Sequence, residues 1–136
     1  GVQLEKGSTA TSFDYRPYQS ELALCQRYFC VPAQTGGYTL TGFVNSATNY
    51  YVPVKFPVTM RASPTITVNG TIGNVTAFWS GSGIAATAYS FPGGGANTAG
   101  VESADIIFTV ASGLTTGQAV QASMGSGNSI FCASEL

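Results

Sequence analysis

The chain has 136 residues, of which 44% are hydrophobic, 12% aromatic and only 8% charged, and its formal net charge is -1. It contains no histidine, which excludes histidine-activated nucleophiles and histidine-ligated metal sites. Its five basic residues are too few and too scattered to neutralise a nucleic-acid backbone, and no apolar run approaches the roughly 18 residues that span a bilayer.

The N-terminal segment, residues 1–16, contributes little apolar sequence and is predicted to be an extended arm or the end of a preceding domain. The rest, 17–136, fits one domain in length. Because the chain begins with Gly1 rather than Met, we expect it to be part of a longer protein. A surface with so few charges is typical of a protein that is partly covered by neighbouring subunits, so we expect an oligomer.

One helix is predicted, from Tyr18 to about Arg27. Pro17 precedes it, and proline suits the first turn because its missing N–H would have no partner there. Leu22, Cys25 and Phe29 follow a three- and four-residue spacing and are predicted to face the protein body. Cys25 is therefore expected to be a buried free thiol.

Strands separated by glycine turns are predicted after the helix. The clearest is Tyr50–Met60, in which alternate residues are apolar and one face is predicted to be core. Pro53 and Pro57 lie on the other face and remove two backbone donors from one edge, which indicates an edge strand or a bulge. Seven or eight short strands at roughly ten-residue spacing predict an all-β fold with one short N-terminal helix, specifically a β-sandwich or jelly roll.

Three blocks of sequence resemble the C-terminal receptor-binding domains of tailed-bacteriophage tail-fibre and related virion proteins. Glu21–Phe29 (ELALCQRYF) is similar to the family's E-L-x-L-C-Q-R-Y-aromatic motif. Val54–Thr65 (VKFPVTMRASPT) is similar to its V-x-F-P-V-x-M-R-x-x-P-T motif, and Ala133–Leu136 (ASEL) to its usual ending. The segment before the helix, Gln3–Pro17, resembles the end of jelly rolls in phage structural proteins. The middle of the chain, from Asn69 to Asn128, resembles no family motif.

The resemblance implies a homotrimeric virion component at the tip of a phage fibre, docked on the remainder of the fibre or baseplate and assembled in the host cytoplasm. Its partner would be a glycan or other receptor of the host cell envelope. Two alternatives stay open: a purely structural fibre or baseplate domain, and a carbohydrate-binding module attached to a glycan-degrading enzyme. No cofactor and no metal are expected.

The candidate ligand-binding residues are aromatic and amide side chains beside glycine-rich turns or, for Tyr51, beside Asn45 and Asn49. Sugars bind to exposed aromatic faces that are flanked by amides and hydroxyls. The candidates are Trp79, Tyr89, Phe91, Asn97 and Tyr51. Each of these aromatic residues has an alternative interpretation as a core or subunit-interface residue, and the segment Phe78–Asn97 is predicted to supply the receptor contacts.

Catalysis is not expected, because the one cluster of carboxylates, Glu102 and Asp105, has opposite parity along a predicted strand and would not face a common substrate. The remaining cysteines, Cys30 and Cys132, leave two possibilities open. They are either buried free thiols or a disulfide, and synthesis in a reducing cytoplasm favours the thiols. The few charged residues of the motif blocks, such as Arg16, Glu21, Arg27 and Arg61, are predicted to be structural and buried in pairs.

Overall fold

The computed structural model describes residues 6–9, 11–12, 15–34, 39–79, 82–92 and 99–134. In these ranges it contains one α-helix, one short 3-10 turn at Ile72–Asn74, and nine strands. The elements are α1 (Tyr18–Gln26), β1 (Phe29–Gln34), β2 (Thr39–Val44), β3 (Asn49–Lys55), β4 (Thr65–Asn69), β5 (Val75–Trp79), β6 (Ser82–Ser90), β7 (Ser103–Val110), β8 (Ala119–Met124) and β9 (Ser129–Ala133). The prediction of an all-β protein with one short N-terminal helix is confirmed. The described part of the predicted arm, 6–9, 11–12 and 15–16, contains neither helix nor strand.

Six strands form a closed antiparallel barrel in the order β2-β3-β7-β6-β5-β8. The other three form a small sheet in the order β1-β9-β4. Along the chain β1 precedes β2, β9 follows β8 and β4 precedes β5, and β2, β8 and β5 are neighbours in the barrel in the same order. The small sheet therefore continues one wall of the barrel, and the described breaks between the two follow β4 and β8.

The two described breaks lie against each other and are rich in glycine. Gly70 and Gly127 both have positive φ, at 99° and 78°, which a residue with a side chain adopts only at a cost. A Cβ on Gly70 would come within 2.6 Å of the Gly127 carbonyl. Buried Asn128 ties the breaks together, because its Nδ2 donates to the Thr71 carbonyl at 2.9 Å.

The predicted sandwich or jelly roll is not confirmed, because the strand pairing closes six strands into a barrel. Strand spacing cannot distinguish the two architectures. Both bury alternate residues of short antiparallel strands, and they differ only in which strands pair.

Strand β3 shows how the core forms from the alternating sequence. Tyr50, Val52 and Val54 are buried on the inner face, as predicted, and Tyr50 stacks on Phe108 of β7 with ring centroids 5.4 Å apart. The strand ends at Lys55 rather than continuing to Met60. The apolar alternation persists beyond Lys55 because the following segment still packs Phe56 and Met60 into the core.

Pro53 lies where β3 has only one described neighbour, which agrees with the prediction of an edge or a bulge. All of β3 pairs with β7, whereas its pairing with β2 stops after Tyr51 opposite Phe43. A Cβ on Gly42 would fall on the backbone carbonyl of Tyr51, so β3 crosses closely over β2 at this glycine and then leaves it. The absent N–H of Pro53 thus costs no ladder hydrogen bond with β2.

Helix α1 begins and ends where the sequence predicts, but the prediction of its buried face is wrong. None of its residues is buried, Leu22 and Leu24 are about 40% exposed, and Cys25 is exposed. The predicted face combined Leu22 and Cys25 with Phe29. Because Phe29 lies in β1 and not in the helix, these three residues do not form one helix face. No helix in the described ranges is long and apolar enough to cross a membrane.

Candidate ligand-binding surface

The three sequence blocks that resemble phage tail proteins meet at one place, next to the small sheet. The Arg61 N–H of the second block donates to the Arg27 carbonyl of the first at 2.9 Å, and the Arg61 guanidinium lies 5.6 Å from the centre of the Tyr28 ring. Ser134 of the third block donates its N–H to the Tyr28 carbonyl at 2.7 Å. Its Oγ accepts from the Ala62 N–H at 3.2 Å. These blocks hold the N- and C-terminal strands together.

The four charged residues that the sequence predicts to be buried in pairs are not buried. Arg16 and Glu21 form an ion pair at 3.2 Å, with side chains 56% and 46% exposed, so the predicted burial of this pair is wrong. Arg27 and Arg61 are exposed as well. An exposed pair of this kind contributes at most about 1 kcal/mol to stability.

An aromatic pair forms on the outside of the barrel, away from these blocks. Phe43 of β2 and Tyr51 of β3 are directly opposite each other, and their rings stack with centroids 5.2 Å apart and planes inclined by 8°. Phe43 is 52% exposed, and Tyr51 is half-buried. The next strand across adds half-buried Ile107, which lies opposite Tyr51. Two stacked rings and an aliphatic side chain thus make an accessible apolar strip across three strands.

The same face continues in the other direction to β5. Phe78, which is 44% exposed, lies opposite Gln121 of β8, and Gln121 lies opposite Thr41 of β2. Strands lie about 4.8 Å apart, so Phe78 and Thr41 are roughly 10 Å apart across the face. A Cβ on Gly83 would come within 2.8 Å of the Phe78 ring, and this glycine therefore leaves room for the ring. We call the outward-facing set Thr41, Phe43, Tyr51, Phe78, Ile107 and Gln121 the outer wall.

Tyr89 and Phe91 do not belong to the outer wall, because a bulge in β6 reverses their direction. Ala86 pairs with Val110, but Ala88 pairs with Thr109, so Thr87 is an extra residue. After the bulge Tyr89 lies opposite buried Phe108, on the sheet face opposite to that of Tyr51.

Tyr89 and Phe91 form an edge-to-face pair with centroids 6.0 Å apart. Tyr89 is 37% exposed, while Phe91 packs against the core. Trp79 ends β5 opposite Ser82, and its side chain is outside the described set. Asn97 lies outside the described residues altogether. Of the five sequence candidates, the structure thus places Tyr51 on the outer wall and separates it from Tyr89 and Phe91.

Phe43 is the aromatic residue of the outer wall that sequence reasoning missed, and Thr41, Ile107 and Gln121 were not among the candidates either. The alternation that puts Leu40, Gly42 and Val44 on one face of a strand puts Phe43 on the other. A large aromatic residue on the polar face of an amphipathic strand was the available signal.

The two carboxylates do not face each other across a cleft. Glu102 lies just before β7 and accepts a hydrogen bond from Thr59 at 3.4 Å, whereas exposed Asp105 lies in β7 opposite Pro53. Within the ranges that the structure describes, no group of three Cys, Asp or Glu residues could hold a metal ion.

Comparison of the chain with family models, with curated proteins and with solved structures finds no match. The resemblance of its motifs to phage tail proteins therefore stays a prediction.

Proposed function

We propose that this chain is the receptor-binding tip of a tailed-bacteriophage fibre, a non-enzymatic virion domain that binds a glycan of the host cell envelope on its outer wall. The observation that carries the proposal is the exposed Phe43–Tyr51 stack, with Thr41 and Gln121 between it and Phe78. Aromatic rings offer apolar faces to sugar C–H groups, and the hydroxyl and amide offer donors and acceptors to sugar hydroxyls.

The contrast between the motif-like blocks and the segment that resembles no family motif supports the proposed receptor-binding role. The motif-like blocks form the junction of α1 and the small sheet, which is a structural role. Phe78 and Gln121 of the outer wall come from the segment that resembles no family motif. Binding residues commonly vary on a scaffold that stays constant.

The tip is a homotrimer, joined through α1 and the adjacent face of β1. Isolated helices shorter than about 12–15 residues are marginal in water, and the nine-residue α1 has no buried side chain that would stabilise it within one chain. Tyr18, Leu22 and Leu24 of α1 and Phe29 and Val31 of β1 are 37–77% exposed. A second copy of this surface would cover these apolar side chains.

A groove of about 460 Å³ lies between α1 and residues 58–59. In the trimer it binds a side chain of the neighbouring copy. Its lining includes Ala23 and Leu24 of the helix and Val58 opposite them.

Binding of the purified domain to an array of bacterial envelope polysaccharides tests the glycan proposal. Phe43→Ala and Phe78→Ala should each weaken binding, because a lost ring contact is worth about 1 kcal/mol per site. Three sites acting together would amplify this to roughly a 100-fold loss of apparent affinity. Tyr15→Ala, which removes an 83% exposed ring outside the outer wall, α1 and β1, should leave polysaccharide binding unchanged.

The same array compares the outer wall with the segment Phe78–Asn97. Loss of binding in Tyr89→Ala or Trp79→Ala, with Phe43→Ala still binding, would move the site from the outer wall to the turns of that segment. Normal melting together with full binding by Phe43→Ala and Phe78→Ala would exclude the outer wall. A wild-type domain that binds no envelope polysaccharide would favour the structural fibre role.

A further inference from the structure

Two buried cysteines face each other in the small sheet. Cys30 of β1 and Cys132 of β9 are direct partners in the antiparallel ladder. Directly opposite residues in such a ladder have Cα atoms about 4.5–5.5 Å apart, which lies within the range of about 4.4–6.8 Å found for disulfides. The backbone thus needs no rearrangement to bring the two sulfurs into bonding range.

The surroundings of the two thiols are apolar and contain a third sulfur. Cys30 and Cys132 are 4% and 0% exposed, and both are free. The thiols are hydrogen-bonded to each other, and the Cys30 Sγ lies 3.9 Å from the Sδ of buried Met60. A disulfide carries no charge, so it would fit this environment as well as the thiols do.

The position of the two cysteines makes them accessible to a small reagent and would make a disulfide between them strongly stabilising. Strand β1 is an edge of the small sheet, and its register against β9 shifts between Cys30 and Ala33. An edge strand with interrupted pairing opens more easily than an interior strand, which gives a small reagent access to the sulfurs. A bond here would close a loop of about 100 residues and restrict the unfolded chain strongly.

We propose that Cys30 and Cys132 are a site of reversible oxidation, at which a small-molecule disulfide such as oxidised glutathione converts the two thiols to a cross-strand disulfide. The Cys30 thiolate attacks one glutathione sulfur, breaks the glutathione disulfide and releases one glutathione thiolate. The Cys132 thiolate then attacks the Cys30 sulfur and releases the second. The protein loses two electrons and two protons, and one oxidised glutathione becomes two reduced glutathione molecules.

The acidity of the thiols governs the rate of this exchange. Burial raises the pKa of Cys132 to about 12. Burial also raises the pKa of Cys30, and its hydrogen bond with Cys132 partly offsets that rise. Both groups are therefore protonated at neutral pH, and because the thiolate is the reactive form, exchange is slow.

The test uses the Cys25→Ser variant, which removes the exposed thiol and leaves the pair. After incubation with oxidised glutathione, the protein should lose the mass of two hydrogens and show no free thiol in denaturant. A proteolytic peptide should join Cys30 to Cys132. The melting temperature should rise by roughly 5–15 °C, and dithiothreitol should reverse every change.

The double variant Cys25→Ser/Cys132→Ala is the control and should gain neither the cross-link nor the rise in melting temperature. Since the main comparison is between the oxidised and reduced forms of one protein, instability of the control would not affect it. Two thiols that remain free in the Cys25→Ser protein would overturn the proposal. A glutathione adduct that never resolves, or a cross-link between two chains, would overturn it as well.

Discussion

At the scale of single residues, Tyr50 is the largest fully buried side chain among those that the structure describes, and also an unusual one. Its ring is completely buried against Phe108, as the alternation of the sequence predicted. Its hydroxyl makes no hydrogen bond to any residue that the structure describes. Burying a hydroxyl without a partner costs about 1–3 kcal/mol, so Tyr50 contributes apolar packing and at the same time a local destabilisation.

Tyr50→Phe should therefore stabilise the protein. It keeps the ring and removes the hydroxyl, and we expect the free energy of unfolding to rise by about 1 kcal/mol. Denaturant titration measures this, with Tyr15→Phe as the matched control because Tyr15 is 83% exposed and lies outside α1 and β1, so that it should show no change. A loss of stability in Tyr50→Phe would show that the hydroxyl has a partner, such as a buried water.

The same residue predicts a pH dependence. Burial raises the pKa of Tyr50 above its ordinary value of 10.0, so the folded state holds its proton more tightly than the unfolded state. The associated stability is present below pH 10 and is lost as the pH rises further. Above pH 10, the free energy of unfolding should fall less steeply with pH in Tyr50→Phe than in the unchanged protein. Denaturant titrations at a series of pH values measure this, and equal slopes in the two proteins would contradict it.

At the scale of elements, the close crossing of β3 over β2 depends on a single missing side chain. A Cβ on Gly42 would fall on the Tyr51 carbonyl and come within 3.3 Å of the Val52 Cα. Backbone atoms cannot move aside as a flexible side chain can. The crossing also sets the position of the Phe43–Tyr51 stack, because their pairing is the last between the two strands.

Gly42→Ala should consequently destabilise the protein by about 1–3 kcal/mol, the usual cost of overpacking, and weaken polysaccharide binding by displacing the stack. Gly73→Ala is the control, since a Cβ there would meet nothing within 4 Å. Thermal melting of both variants measures the difference. Equal melting temperatures would show that β2 and β3 do not approach so closely.

At the scale of the whole molecule, low charge and an exposed helix favour an assembly. The sequence predicted an oligomer from its 8% of charged residues, and the apolar surface of α1 and β1 is where the proposed trimer would join. Oligomers commonly bury such surface, whereas monomers rarely expose large apolar patches.

Light scattering should report three chains per particle at micromolar concentration. Replacing both Leu22 and Leu24 with glutamine should shift the particle towards a monomer, because polar side chains would then occupy the interface. Val101→Gln changes an apolar residue of the same exposure, 40%, outside α1 and β1 and should leave the trimer intact. A wild-type protein that remains monomeric under these conditions would contradict the assembly.

The sequence alone determined the features that depend on local pattern. Alternation identified the core face of β3, and proline with apolar spacing located α1, since both are properties of a few consecutive residues. The opposition of Cys30 and Cys132 was also available as one of two possibilities, because both lie in the terminal strands. The exposure of Cys25 could not be predicted from the sequence, because the face of a short helix that is covered depends on what packs against it.

Only the tertiary structure decided how the strands close and which aromatic residues share a surface. Barrel and sandwich bury the same alternate residues, so the choice lies in pairings between strands far apart in sequence. The extra residue at Thr87 turns Tyr89 away from Tyr51, and Gly42 brings Phe43 to Tyr51. A bulge or a crossing is defined by the partner strand, and for that reason no local pattern reveals it.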